Sequence, residues 1–145
     1  MTVEAFMNYL AEAFDLPILD WIAANLWCPF LDTVMPIITV FGDGGIFWIA
    51  ISVILMLTKK HRKTGLGMAF ALIMGLLVCN IILKPGVARI RPYDFQMKYF
   101  SKEIALIAGG MHDFSFPSGH TIASFEACTA LMLGSKKFGI PATVL

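Results

Sequence analysis

The chain has 145 residues, 58% hydrophobic and only 14% charged, against roughly 25% charged in an average soluble domain. Its apolar residues lie in long runs, which excludes a single water-surrounded globule and makes lipid the solvent for much of the chain. The net charge of +1 hides a split, with six acids and no Lys or Arg in residues 1–58 and all eleven bases with four acids in residues 59–145; the bases cluster between apolar runs, which excludes a uniformly basic nucleic-acid binder.

Residues 3–14 place Val3, Phe6, Met7, Leu10 and Phe14 at helical spacing with Glu4, Asn8 and Glu12 opposite, which predicts an amphipathic helix at the membrane interface. The start has no basic n-region, so insertion is expected through internal spans. Residues 17–41 are apolar but carry Pro17, Pro29, Pro36, Asp20 and Asp32, the pattern of a bent or tilted span. Asp43-Gly44-Gly45 predicts a tight turn. From Ile46 to Thr58 the chain is almost wholly apolar and stops at Lys59, Lys60, His61, Arg62 and Lys63, so a second span ends there.

The next run, Gly65 to Leu83, would be about 28 Å long as a helix, which matches the hydrocarbon thickness. Gly67, Ala71, Gly75 and Cys79 fall four apart within it, a stripe of small residues predicting a helix-packing face. A polar stretch runs from Lys84 to Pro117, and a last long helical run from about Ser118 to Leu133 ends at Lys136 and Lys137. The positive-inside rule puts the 59–63 cluster and the Lys136-Lys137 pair on the cytoplasmic side and the 84–117 loop outside. The expected architecture is therefore an all-α, polytopic membrane helical bundle of about four spans plus the amphipathic N-terminal helix, one membrane domain over 1–145. Cys28, Cys79 and Cys128 are odd in number and widely spaced in apolar surroundings, which fits small buried hydrophobes rather than a disulfide or zinc framework.

Two stretches flank the outer loop. Lys84 and Arg91, seven residues apart, would be separated by about 23 Å in extended chain but by about 10 Å on one helical face, so their convergence predicts helix across 84–91. Pro85 suits its first turn. Arg89 falls out of phase and is expected to meet a headgroup or Asp94. A converging ammonium and guanidinium at the membrane edge suit a phosphate group, while two snorkelling bases are the plainer reading. At the other end stands Pro117-Ser118-Gly119-His120. Ser118 can cap a helix and offer a hydroxyl, Gly119 lets its N–H approach an oxyanion, and the helix N-terminus attracts anions. A histidine there, His120, can deliver a proton to a leaving oxygen. At average residue usage such a tetrapeptide arises by chance roughly once in a thousand chains of this length.

With Lys84, six residues, Arg91-Pro92 and then Pro117-Ser118-Gly119-His120, the sequence resembles the type 2 phosphatidic acid phosphatase family in its first two motifs. The resemblance implies a helical membrane protein, usually of six spans, that hydrolyses lipid phosphates or diphosphates through a phosphohistidine with no metal or other cofactor. It also implies that Lys84 and Arg91 bind phosphoryl oxygens, that Ser118 and Gly119 add hydrogen bonds, and that His120 is the general acid. The finer likeness is to small bacterial members, some acting on undecaprenyl diphosphate. The family's third motif, Ser-Arg, five residues, His, three residues, Asp, supplies the attacking His, and it has no match in these residues. The chain is therefore read as incomplete relative to the six-span fold.

Among other candidates, His112 lies in the outer loop beside Asp113, and His61 lies on the opposite side of the membrane. Glu126, about 9 Å deeper than His120 along the same helix, is either a functional carboxyl or a neutral acid paired inside the bundle or facing a groove. Asp94, Glu103 and Asp113 lack metal-ligand spacing and read as a solvated loop. The leading expectation is a multi-pass enzyme of the cytoplasmic membrane, its active-site loop on the outer side, acting on a lipid phosphate or diphosphate. Without a matched nucleophile, a non-catalytic protein that binds anionic headgroups is the alternative, and a small transporter is a weaker third.

Overall fold

The computed structural model describes residues 2–42, 45–104 and 113–143. Most of these are helical, with no strand among them. The order is α1 (Val3–Leu10), a π-helical segment (Ala11–Asp15), α2 (Leu16–Asn25), α3 (Pro29–Gly42), α4 (Ile46–Leu57), α5 (Arg62–Gly75), a second π-helical segment (Leu76–Leu83), α6 (Lys84–Val87), α7 (Pro92–Phe100), α8 (Gly119–Gly134) and α9 (Lys136–Ala142).

Local chemistry explains most of the boundaries. Thr2 caps α1 by accepting from the Ala5 N–H at 3.2 Å, satisfying a donor that a helix start leaves open. Pro17, Pro29 and Pro92 stand in the first turns of α2, α3 and α7, where the missing N–H costs nothing. Pro36 lies inside α3. The expected bend in 17–41 is thus a break between α2 and α3 at Leu26–Cys28. Of the predicted Asp43-Gly44-Gly45 turn, Asp43 and Gly44 lie outside the described residues, and Gly45 precedes α4 with φ at +69°.

Among the described residues one stretch, Arg62–Phe100, is long and apolar enough to cross a membrane by length and composition. Pro29–Thr39 and Ile46–Leu57 are apolar but shorter; the twelve residues of the latter reach about 18 Å. Large apolar side chains stand open on many helices: Leu133 is 85% exposed, Leu57 78%, Phe30 71% and Phe125 71%. Outward-facing apolar surface on this scale marks contact with lipid or with other protein.

The chain forms two compact units. One comprises Met1–Ile38 with Leu83–Phe116, the other Thr39–Ile82 with Pro117–Leu145. In the first, Phe95 and Gln96 of α7 are buried, and Phe95 meets the Tyr99 ring with centroids 4.5 Å apart. In the second, α5 packs on α4 and α8, and α9 packs on α8, around Trp48, Leu55, Met68, Ala127, Leu131 and Ala142. Two hydrogen bonds tie this core: Trp48 Nε1 donates to Ser124 Oγ at 3.1 Å, and the buried Ser52 hydroxyl donates to Gly65 O at 2.9 Å.

The small-residue stripe packs in part, at Gly75 and not at Gly67. A Cβ at Gly67 would meet nothing within 4 Å, whereas one at Gly65 would sit 2.6 Å from Met56 N and 2.8 Å from Ser52 O. The close approach of α4 therefore uses Gly65, on a different face. Of the predicted stripe, Gly75 is buried, with the Glu126 carboxyl of α8 over it. That places Glu126 at the α5–α8 contact, on an open groove of about 730 Å³ that also touches Lys60, Lys63 and Thr64.

Candidate functional site

In the first unit, Lys84 and Arg91 meet on one carboxylate. Lys84 Nζ donates to Asp113 Oδ2 and Arg91 Nη2 to Asp113 Oδ1. Arg91 Nε also donates to the backbone carbonyl of Asp113 at 2.9 Å. The expected convergence is present, but not by the expected route. Helix α6 stops at Val87, Ala88 turns left-handed at φ +50°, and Arg91 is extended at φ −70° and ψ 147°. A continuous 84–91 helix is excluded because Ala88 closes α6, its N–H bonding to Lys84 O at 2.8 Å, and Pro92 then starts α7. The reversal at Ala88, rather than helical phase, brings Arg91 back to Lys84.

Two further expectations change here. Arg89 pairs with Asp15 of the N-terminal π-helical segment, not with Asp94. Asp113 is more than a solvated loop residue, since it is the shared counterion of both candidate phosphate ligands. The Lys84 ammonium and then the Arg91 guanidinium, by their hydrogen bonds, lower the Asp113 carboxyl from its ordinary range to about 2, so it is ionised at neutral pH. The Asp113 segment is fixed by Ser115, whose N–H bonds to Arg89 O at 2.9 Å and whose hydroxyl lies 3.1 Å from both Arg89 O and Ile90 O. Asp113 lies 22 residues from Arg91 and 29 from Lys84, so no local sequence signal pointed to it.

In the second unit, Ser118 is the N-cap of α8. Its Oγ accepts from the Thr121 N–H at 3.4 Å and from the Thr121 hydroxyl at 3.1 Å. The predicted cap and helix start at Ser118-Gly119 are therefore in place. A Cβ at Gly119 would have Asn80 Oδ1, at 4.0 Å, as its nearest neighbour among the described residues, so packing within this unit does not require glycine there. His120 stands in the first turn, its Nε2 buried and without a hydrogen-bond partner among the described residues. It lines an open groove of about 630 Å³ along α8 and α9 with Ser124, Phe125 and Cys128.

Lys84 and Arg91 thus belong to one unit, and Ser118, Gly119 and His120 to the other. His61 packs edge-on against Phe138, ring centroids 5.1 Å apart. His112 lies outside the described residues. Among the described residues no group of three His, Cys, Asp or Glu side chains is placed to hold a metal ion, and the three cysteines are free and half-buried.

No protein-family profile matches the chain, and no solved structure matches it. Among curated proteins it is similar to an undecaprenyl-diphosphatase of Sulfolobus acidocaldarius, with 26% identity over 91 residues. The aligned stretch takes in 63% of this chain and 41% of that protein. The chain spans about two fifths of that relative's length.

Proposed function

We propose that this chain is the phosphate-binding part of a multi-pass membrane phosphatase that hydrolyses a lipid phosphate or diphosphate, of which undecaprenyl diphosphate is the best candidate. The observation that carries the reading is the pairing of Lys84 and Arg91 with the two oxygens of one carboxylate, an arrangement able to take two oxygens of a phosphoryl group. The similarity to an undecaprenyl-diphosphatase supports the substrate class. The apolar stretch Arg62–Phe100 and the exposed apolar side chains support placement in a membrane.

In this reading residues 1–145 form one membrane domain of about four spans, with the 84–117 loop on the extracytoplasmic side. Lys84 supplies a point charge and Arg91 a planar fork to the phosphoryl oxygens. Ser118 and the Gly119 N–H, at the positive end of α8, add hydrogen bonds to the same group. His120 protonates the departing oxygen, which lowers the cost of breaking the P–O bond. Its Nε2, which has no hydrogen-bond partner among the described residues, fits that role. The attacking group is a histidine of the family's third motif, which forms a phosphohistidine that water then hydrolyses. No metal or other cofactor takes part.

The test is phosphate release from a short-chain polyprenyl diphosphate by a protein carrying this chain together with the third motif. His120→Ala should cut turnover by about a hundredfold or more with substrate binding little changed. Unchanged turnover contradicts the assignment. The second reading, a headgroup binder without hydrolysis, draws on the same pairing of Lys84 and Arg91 with one carboxylate, and tight binding with no release of phosphate would establish it.

A further inference from the structure

We infer that Asp113 is a tethered internal anion that occupies the Lys84–Arg91 cradle and must be displaced by the substrate phosphate, so that it sets the affinity a ligand needs in order to enter. This rests on the phosphate-binding reading of Lys84 and Arg91 above. The geometry separates two jobs that one residue could otherwise confuse. Arg91 is oriented through its Nε, which donates to the Asp113 backbone carbonyl at 2.9 Å. The Asp113 side chain, by contrast, uses Oδ1 and Oδ2 to fill Arg91 Nη2 and Lys84 Nζ, the atoms a phosphoryl group would need. Removing the carboxylate leaves the backbone anchor of Arg91 in place and frees both donors.

Exposure points the same way. The Lys84 and Arg91 side chains are 12% and 21% exposed, the Asp113 side chain 49%. The carboxylate is thus on the open side of two sheltered cations and can swing into water without uncovering them. Arg89 does not compete for it, being paired with Asp15.

A tethered competitor lowers the affinity of every incoming anion by the fraction of time the cradle is open. Weak ligands then fall below the threshold while strong ones still enter. At a membrane surface the commonest anions are singly charged phosphodiester headgroups, and these draw less Coulomb attraction from two cations than a doubly charged terminal phosphate does. Asp113 thereby reserves the cradle for terminal phosphates, and it returns to the cations as the product phosphate leaves.

The experiment is calorimetric titration of the chain in detergent micelles with methyl phosphate, which carries close to two charges at about pH 8, and with dimethyl phosphate, which carries one. Asp113→Asn should bind methyl phosphate roughly tenfold more tightly than the unaltered chain, and should bring dimethyl phosphate into the measurable range. Adding Lys84→Ala to that variant should abolish both. Weaker or unchanged binding by Asp113→Asn overturns the inference and leaves the cradle intact, provided Lys84→Ala alone still removes methyl phosphate binding. If Lys84→Ala alone has no effect, the cradle reading fails and the inference with it. A readout on the unaltered chain holds even where the variant does not fold. The Asp113 carboxyl ¹³C resonance should move on adding methyl phosphate and not on adding chloride, and a stationary resonance overturns the inference.

Discussion

Arg91 holds Asp113 at two places, the backbone carbonyl through Nε at 2.9 Å and the carboxylate through Nη2. The guanidinium reaches both because its donors are fixed in one planar fork. Arg91→Lys keeps the charge but loses the backbone anchor and one arm of the fork. Methyl phosphate affinity should fall about tenfold, measured by the same titration, with the helical circular dichroism unchanged. Equal affinity would mean that charge alone matters at this position.

The Asp113 carboxyl also predicts an acid limit. Lys84 and Arg91 hold its folded value at about 2, below the roughly 3.9 of an unfolded Asp. A depressed carboxyl contributes stability that is fully present above the unfolded value and is lost as pH falls through the folded one. The contribution should therefore disappear between about pH 4 and about pH 2. Acid titration of detergent-solubilised protein should show a loss of stability in that window which Asp113→Asn lacks. An identical acid profile for the two proteins would contradict the pairing.

Ala88, at φ +50°, makes the reversal between α6 and Arg91. A left-handed residue other than glycine costs about 1–2 kcal/mol. Ala88→Gly should therefore keep anion binding and retain or raise thermal stability. Ala88→Val, β-branched and ill suited to this region, should lower both. Tolerance of Val with full anion binding would show that the left-handed turn does not set the cradle.

Gly65 and Gly67 lie two residues apart with opposite expectations. A Cβ at Gly65 would press on backbone atoms, Met56 N at 2.6 Å and Ser52 O at 2.8 Å, whereas at Gly67 it meets nothing within 4 Å. Gly65→Ala should destabilise the α4–α5 pair by about 1–3 kcal/mol. Gly67→Ala should be neutral or gain up to about 1 kcal/mol of helix propensity. Chemical denaturation of both variants in one detergent checks the contrast.

These contrasts trace how far the sequence could be read. The α8 start was legible because Ser118 capping is a local event, written in the side chain and the N–H three residues on. The Gly65 contact was not, since periodicity shows that small residues share a face but not which face a neighbouring helix takes. Ala88 was read as helix because helical phase was the route by which the spacing could bring Lys84 and Arg91 together, whereas the structure does it with a left-handed turn. The least legible features were the ion pairs. Asp113 lies 29 residues from Lys84, and Asp15 lies 74 from Arg89, separations at which only folding brings the partners together. The bases looked like free ligands because their counterions were remote in the chain.

The central claim is that Lys84 and Arg91 form a cradle for the phosphate of a lipid. The most direct measurement is the ³¹P resonance of a short-chain polyprenyl phosphate titrated with the purified chain in micelles, beside Lys84→Ala and Arg91→Ala. The account predicts a saturable shift for the unaltered chain that each substitution removes. A shift of the same size and midpoint in all three proteins would contradict it.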